Sequence, residues 1–303
     1  MSDLLLDDDA ETPRAVRGRS LLEDARRRLM RNPGAVVSLY VVAILVLIAI
    51  FGPMLWVHPI DRIYADRVAI GPTLSNLHLL GTDTEGRDMV ARIMFGLRIS
   101  LLVGAAATLV ALTIGLTYGA VAGYFGGVVD DAMMRLVDVL YAIPFIFFVI
   151  VLMTVINTPD PFFKLMLIFM AIGAVEWLTM ARIVRGQTIA LRNKEFVEAA
   201  RASGARPLEI VFRHIVPNVL GPVVVFATLN VPVIILSESF LSFIGLGVRE
   251  PLTSLGVLIS DGSGQMLNAP WLLIAPAVVM LMTLLALNFL GDGLRDALDP
   301  KGR

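Results

Sequence analysis

Two carboxylates stand inside long apolar runs of this 303-residue chain. Glu176 lies beside Trp177, and Glu238 lies between Ser237 and Ser239. A charge at the bilayer centre costs roughly 2.5–3.5 kcal/mol on insertion scales, so each must face a bundle interior, water or a partner. Groups of this kind relay protons, line a path for a cationic solute, or hold a structural hydrogen bond to serine or backbone. All three readings stay open for Glu238 with its neighbour Ser237. Glu176 has Arg182 and Arg185 a turn or two away as partners.

Little else in the chain points to catalysis. His58, His78 and His214 are scattered and show no metal-ligand spacing. There is no cysteine, which excludes disulfides and thiolate metal sites. The three lysines, Lys164, Lys194 and Lys301, do not end a G-x-x-x-x-G-K-[ST] loop, so no nucleotide site of that type is expected. Neither a Ser-His-Asp set nor paired carboxylates can be argued. The expectation is a protein without enzymatic activity, cofactor or metal.

The elements that must position these residues are membrane helices. The chain is 57% hydrophobic and 17% charged, with mean hydropathy +0.79. Soluble domains carry about 25% charge. Crossing a bilayer takes about 20 apolar residues. Six spans are expected, near residues 35–57, 99–122, 138–157, 163–182, 218–246 and 271–291. The net charge of −1 argues against a nucleic-acid partner.

The Lys/Arg distribution sets orientation. Residues 1–34 and 182–217 carry seven each, the segment after the last span three, and Arg135 one. The remaining connections, including 58–98, carry seven in all. Both termini and 182–217 are therefore expected in the cytoplasm. The N-terminus lacks the apolar core of a cleavable signal. Residues 1–20 are expected to be disordered. Residues 21–33 are expected to form a basic helix, either against anionic headgroups or solvated.

Residues 196–217 are soluble in character yet flanked by spans. Helix pattern over 196–203 is followed by Gly204 as a C-cap. Pro207 opens a second helix, in which Leu208, Val211, Phe212 and Ile215 form one apolar stripe. Glu209 and Arg213 pair at i,i+4, and Pro217 is expected to stop the run. Such a helix lays its apolar face either in a partner's groove or on its own bundle.

Thr82-x-x-Glu85 reads as a capping box for an outer helix with Val90, Ile93, Met94 and Leu97 on one face. Asp130, Asp131, Arg135 and Asp138 form a charged patch, with Arg295 as a candidate partner. Gly115, Gly119 and Gly123 make a small-residue face suited to close helix packing.

Glu198-Ala199-Ala200, Gly204 and Ile215-Val216-Pro217 resemble the EAA loop of ABC importer permeases, with Val216 where the general motif has Leu. Three further stretches resemble the second permease of the dipeptide/oligopeptide/nickel branch: residues 31–33, 80–88 and 290–300. The likeness covers nearly the whole chain in the expected order. It implies an all-α, six-span type I importer permease of MetI-like fold in a bacterial inner membrane. Its parts are a tail and basic helix (1–34), the first span (35–57), an outward segment (58–98), a five-helix core (99–291) with a coupling loop (186–217), and a tail (292–303). It implies coupling through Glu198, Ala199, Ala200, Gly204, Pro207 and Pro217. It also implies partners: a homologous first permease, two ATP-binding subunits, an extracytoplasmic substrate-binding protein and membrane lipids. The implied cargo is di- and oligopeptides, with nickel chelates or other small solutes as the alternative. A different class, a proton-coupled secondary transporter, would use Glu176 and Glu238.

Overall fold

The computed structural model describes residues 21–156, 158–248 and 250–298. The expected disorder of residues 1–20 lies outside them. Among the described residues the protein is helical, with one isolated bridge between Thr82 and Asp88. Helix α1 (Leu21–Leu29) is short and carries Arg26, Arg27 and Arg28 in its last turn. Asn32 then caps α2 (Pro33–Leu55), its side chain accepting from the Ala35 N–H, with Pro33 preset for the first turn.

Helix α3 (Met89–Phe125) has 37 residues, about 55 Å. The expected outer helix and second span are therefore one rod. Its cap is Asp88, whose carboxylate accepts from Ala91 N. This corrects the Thr82/Glu85 capping box. Thr82 instead donates its hydroxyl to Arg67 O and accepts from Ile70 N, bonds internal to the loop.

The expected span at 138–157 is broken. Helices α4 (Gly127–Tyr141) and α5 (Phe145–Val155) meet at 77°. Pro144 disfavours helical geometry at Ile143 and lacks an N–H. Ion pairs also hold α4 against α6 (Pro161–Leu191): Arg185 to Asp130, and Arg182 to Asp138 at 2.8 Å. Arg295 is thus not the partner of this patch. The 11 residues of α5 reach about 16 Å, short of the ~30 Å hydrocarbon core. Among the described residues five continuous helices are long and apolar enough to cross a membrane, and the bent pair makes a sixth span if counted as one.

Helix α6 leads to α7 (Glu195–Ala202) and α8 (Pro207–Ile210). A wide turn over Val211–Ile215 joins α8 to α9 (Val216–Phe243). Helix α10 (Leu255–Ser263) and α11 (Trp271–Leu298) complete the chain. Alternation of the long helices defines two ends of the bundle. One carries the α7–α8 hairpin. The other carries the helix-free segment 56–88 and α10, here called the collar.

Helices α3 and α6 pack most closely because α3 presents glycines. A Cβ on Gly119 would lie 2.3 Å from Ala181 O, and one on Gly123 2.7 Å from Arg185 O. Bare backbone lets the two helices touch. Three apolar clusters stack along the bundle: Val197, Ile210, Val211 and Ile215 at the hairpin end; Val103, Ile168 and Ile234 in the middle; Leu97, Leu255 and Leu258 at the collar end.

Candidate functional site

The hairpin turns where the sequence puts its glycine. Gly204 has φ +79°, and Ala205 N returns to Ala200 O at 3.1 Å, closing the end of α7. Arg201 seats α7 on α3, with its guanidinium 5.3 Å from the Tyr124 ring centre. Pro207 opens α8, and Arg213 pairs with Glu209 at 3.2 Å.

The expected single apolar stripe is split in two. Val211 and Ile215 are fully buried against the bundle, with Val197 and Ile210 beside them. Leu208 and Phe212 face outward, 53% and 48% exposed. Pro217 does not stop the run. It sits in the first turn of α9, and the wide turn before it returns Val216 N to Val211 O. At that position a missing N–H costs little, so α8 continues into α9 as one rod. A force on Leu208 or Phe212 therefore acts directly on a spanning helix. Glu198 and Ala199 are exposed while Ala200 packs inward. Glu198 makes no ion pair among the described residues.

The intramembrane carboxylates are both engaged. Glu176 accepts from Asn230 Nδ2 at 2.8 Å, bridging α6 and α9; Arg182 and Arg185 are committed to α4 instead. Glu238 is 0% exposed. Its carboxylate accepts from Ser242 at 2.6 Å and Ser100 at 3.3 Å, while Ser100 accepts from Leu255 N at 3.2 Å. This knot joins α9, α3 and α10. In this conformation Glu238 is enclosed by these serines. Ser237 bonds its own helix, donating to Val233 O at 2.9 Å.

The collar gathers residues that looked scattered. His58 and His78 stack with ring centres 4.3 Å apart, and Asp88 lies beside them. His58 Nε2–H donates to Asn76 O at 3.0 Å, so Nδ1 accepts from the Tyr64 hydroxyl at 2.7 Å. Arg67 donates to His78 Nε2, so His78 Nδ1–H donates to Asp88 at 2.8 Å. Both tautomers follow from these partners. Every ring nitrogen is occupied, and nearly parallel rings cannot aim in-plane lone pairs at one ion. The group is a hydrogen-bonded lock on the start of α3, to which Trp56 Nε1 adds a bond to Asp88 at 2.9 Å. Twenty residues of sequence separate the two histidines, and no spacing rule reveals the stack.

Beside the lock, Asp83 takes the Arg87 Nε at 2.8 Å and also the Arg92 guanidinium. Burial pushes the Asp83 carboxyl up. The Arg87 backbone N–H and the charges of Arg92 and Arg87 outweigh it, leaving the carboxyl below its ordinary range.

A bundle of apolar helices long enough to cross a membrane, with an exposed hairpin continuous with one of them, defines a multi-pass membrane protein. The chain belongs to the family of binding-protein-dependent transport system inner membrane components, whose family model matches residues 115–303. The N-terminal TM domain of oligopeptide transport permease C matches residues 20–73. The oligopeptide transport system permease protein OppC of Haemophilus influenzae is 50% identical over 288 residues, covering 95% of this chain and 91% of its own. OppC of Escherichia coli strain K12 is 53% identical over 288 residues, covering 95% and 94%. The Bacillus subtilis dipeptide transport system permease protein DppC is 42% identical over 285 residues, covering 94% and 87%. Among solved structures, the inward-facing MetNI methionine ABC transporter shares the fold, with TM-score 0.55 and 19% identity over 67% of this chain and 94% of that one.

Proposed function

We propose that this chain is the second permease subunit of an ATP-driven importer of oligopeptides and dipeptides. ATP is hydrolysed in separate subunits. The hairpin end lies in the cytoplasm with both termini, and the collar faces outward. Two ATP-binding subunits, a homologous first permease and an extracytoplasmic binding protein complete the assembly. Closure of the ATPases on nucleotide moves the hairpin, and α9 carries that motion into the bundle, which exposes the path alternately to each side. Glu198, Ala199, Ala200, Gly204, Pro207 and Pro217 form the coupling element: the alanines allow close approach, Glu198 offers a charge, Gly204 sets the angle, and the two prolines flank the rod that enters α9.

The observation that carries this reading is the half-exposed pair Leu208 and Phe212 on a rod continuous with a spanning helix. Because the chain has no cysteine, orientation can be tested with single cysteines. Ser203→Cys at the hairpin is expected to resist an impermeant maleimide in intact cells and to label in inverted vesicles. Ser75→Cys in the collar is expected to do the opposite. A pull-down in mild detergent is expected to bring an ATPase and a second membrane chain. Labelling of Ser203→Cys from outside, or a lone chain that transports after reconstitution, overturns the proposal.

A further inference from the structure

The collar contains a cavity of about 260 Å³ whose lining includes Asp83, Glu85, Arg87, Arg92, Glu250 and Asp261. The coupling mechanism makes no use of it. Its charges are sorted by depth. The cations lie inside, with the Arg92 and Arg87 side chains 5% and 13% exposed. At the mouth, Glu85, Glu250 and Asp261 are each about half exposed. Among the described lining residues four carboxylates face two guanidinium groups, an excess of negative charge.

The pairing inside is incomplete. Asp83 and Arg87 are consumed: Arg87 holds Asp83, Glu85 at 3.1 Å and Glu250 at 2.7 Å. Among the described residues Asp261 has only Arg92 Nη2, at 3.8 Å, beyond a hydrogen bond. The same Nη2 lies 4.0 Å from Glu250 and makes no hydrogen bond among the described residues, while the rest of the guanidinium is held by Asp83. Burial raises the Asp261 carboxyl, Arg92 offsets part of this, and Glu250 adds to it. The cavity thus holds an under-compensated carboxylate at its mouth and an unused donor at its floor.

The inner wall of the recess is apolar. Met89, Leu258 and Leu272 line it and are buried, and α10 is tied to α3 and α9 through Ser254, Ser100 and Glu238. At about 30 Å³ per water the volume exceeds that of a single ion and suits one long side chain.

Resting on the proposed importer function, we infer that this cavity is a docking recess for one lysine or arginine side chain of the extracytoplasmic binding protein. The cation sits between Asp261 and Glu250, and a main-chain carbonyl of the same segment accepts from Arg92 Nη2. Charges at such a rim act mainly on association rate and its salt dependence.

The test uses the whole complex in lipid nanodiscs, with the peptide-loaded cognate binding protein titrated by surface plasmon resonance. Asp261→Asn is expected to weaken binding about tenfold, mostly through slower association, and to flatten the dependence on salt. Asp261→Lys is expected to weaken it further, and Asp261→Glu to retain it. Thermal unfolding of each variant complex separates these effects from loss of fold. If the wild type binds and Asp261→Asn binds equally, the recess is overturned while the importer function stands. Unchanged docking with a raised KM for peptide uptake assigns the cavity to substrate and also overturns it. A wild-type complex that binds no extracytoplasmic protein overturns the importer function and the recess together.

Discussion

At the collar end, Asp83, Arg92 and Asp88 are buried and Arg87 partly so, all four are bonded to one another or to backbone, and the stacked histidines have no unused ring nitrogen. At the hairpin end, Glu198 has no ion pair among the described residues, the Arg213–Glu209 pair lies in water, and two large apolar side chains stand half exposed. The contrast separates two demands on one bundle. A collar that must hold its shape pairs the polar groups at the start of α3 internally and leaves only the rim of its recess, at Asp261, under-paired. A hairpin that must be gripped and moved leaves its contacts for another molecule and keeps only its inner face, Val197, Ile210, Val211 and Ile215, for itself. Substitutions among the buried groups of the collar should therefore cost stability, and substitutions on the outer hairpin should cost transport.

The largest stability loss is expected for Asp83→Asn. It leaves the buried Arg92 guanidinium facing a neutral amide, while Arg87 keeps Glu85 and Glu250, and breaking one partner of a buried pair costs about 3–5 kcal/mol. The change should appear as a lower unfolding midpoint of the purified complex. The pH dependence has a defined sign. The Asp83 carboxyl is lowered in the fold, so its contribution is present above its unfolded pKa and fades as pH falls through the folded value. Asp261 is raised, so its contribution is present below its unfolded pKa and is lost as pH rises through the folded value. Acidification through the carboxylate range should destabilise the wild type through Asp83, and Asp83→Asn should remove that component. An unchanged midpoint and pH profile would show that the collar is not held by this ion pair.

Glu238→Leu comes next. Ser100 and Ser242 would each lose a buried acceptor, at about 1–3 kcal/mol per unsatisfied group. Glu238→Gln keeps one acceptor oxygen and should lose less than about 1 kcal/mol, with uptake retained and insensitive to collapse of the proton gradient. Uptake abolished by Glu238→Gln at full stability would return Glu238 to the path and revive the proton-coupled alternative.

Smaller again is Gly204→Ala. Nothing lies within 4 Å of a Cβ there, so the cost is the backbone's alone, about 1–2 kcal/mol for a left-handed residue. Hydrogen exchange of α7 and α8 should rise while the collar stays protected. Equal exchange at both ends would mean that the hairpin is not a separately yielding unit.

The contrast between the ends also explains what was legible in the sequence. The hairpin is built from neighbours: Gly204, Pro207 and the Glu209–Arg213 pair lie within ten residues, and local rules find them. The wide turn over Val211–Ile215 follows no local pattern, so the stripe's division and the passage of Pro217 into α9 were hidden. The collar is built from distant partners. Ser100 and Glu238 are 138 residues apart, and His58 and His78 meet only because the 56–88 loop folds back. Thr82, Asp83 and Asp88 are all competent caps, and only the loop's own bonds decide that Asp88 serves α3. Hydropathy locates the apolar run at 138–157 but cannot show that Pro144 and the α4–α6 ion pairs bend it.

The double substitution Leu208→Asp/Phe212→Asp should move stability least, by no more than about 0.5 kcal/mol, because both side chains already face water. Its effect on transport should be complete. A docking anchor replaced by a charge typically costs 2 kcal/mol or more, about thirtyfold in affinity, and two together would release the ATP-binding subunits. Co-purification of an ATPase and peptide uptake should fail while the unfolding midpoint holds. Val211→Asp supplies the opposite case one turn away: Val211 is 0% exposed, so a buried charge there should unfold the hairpin end itself. A double variant that still transports would show that the outer face is not gripped. One that unfolds like Val211→Asp would show that Leu208 and Phe212 belong to the bundle's own core, and the division of labour between the ends would fail at the hairpin.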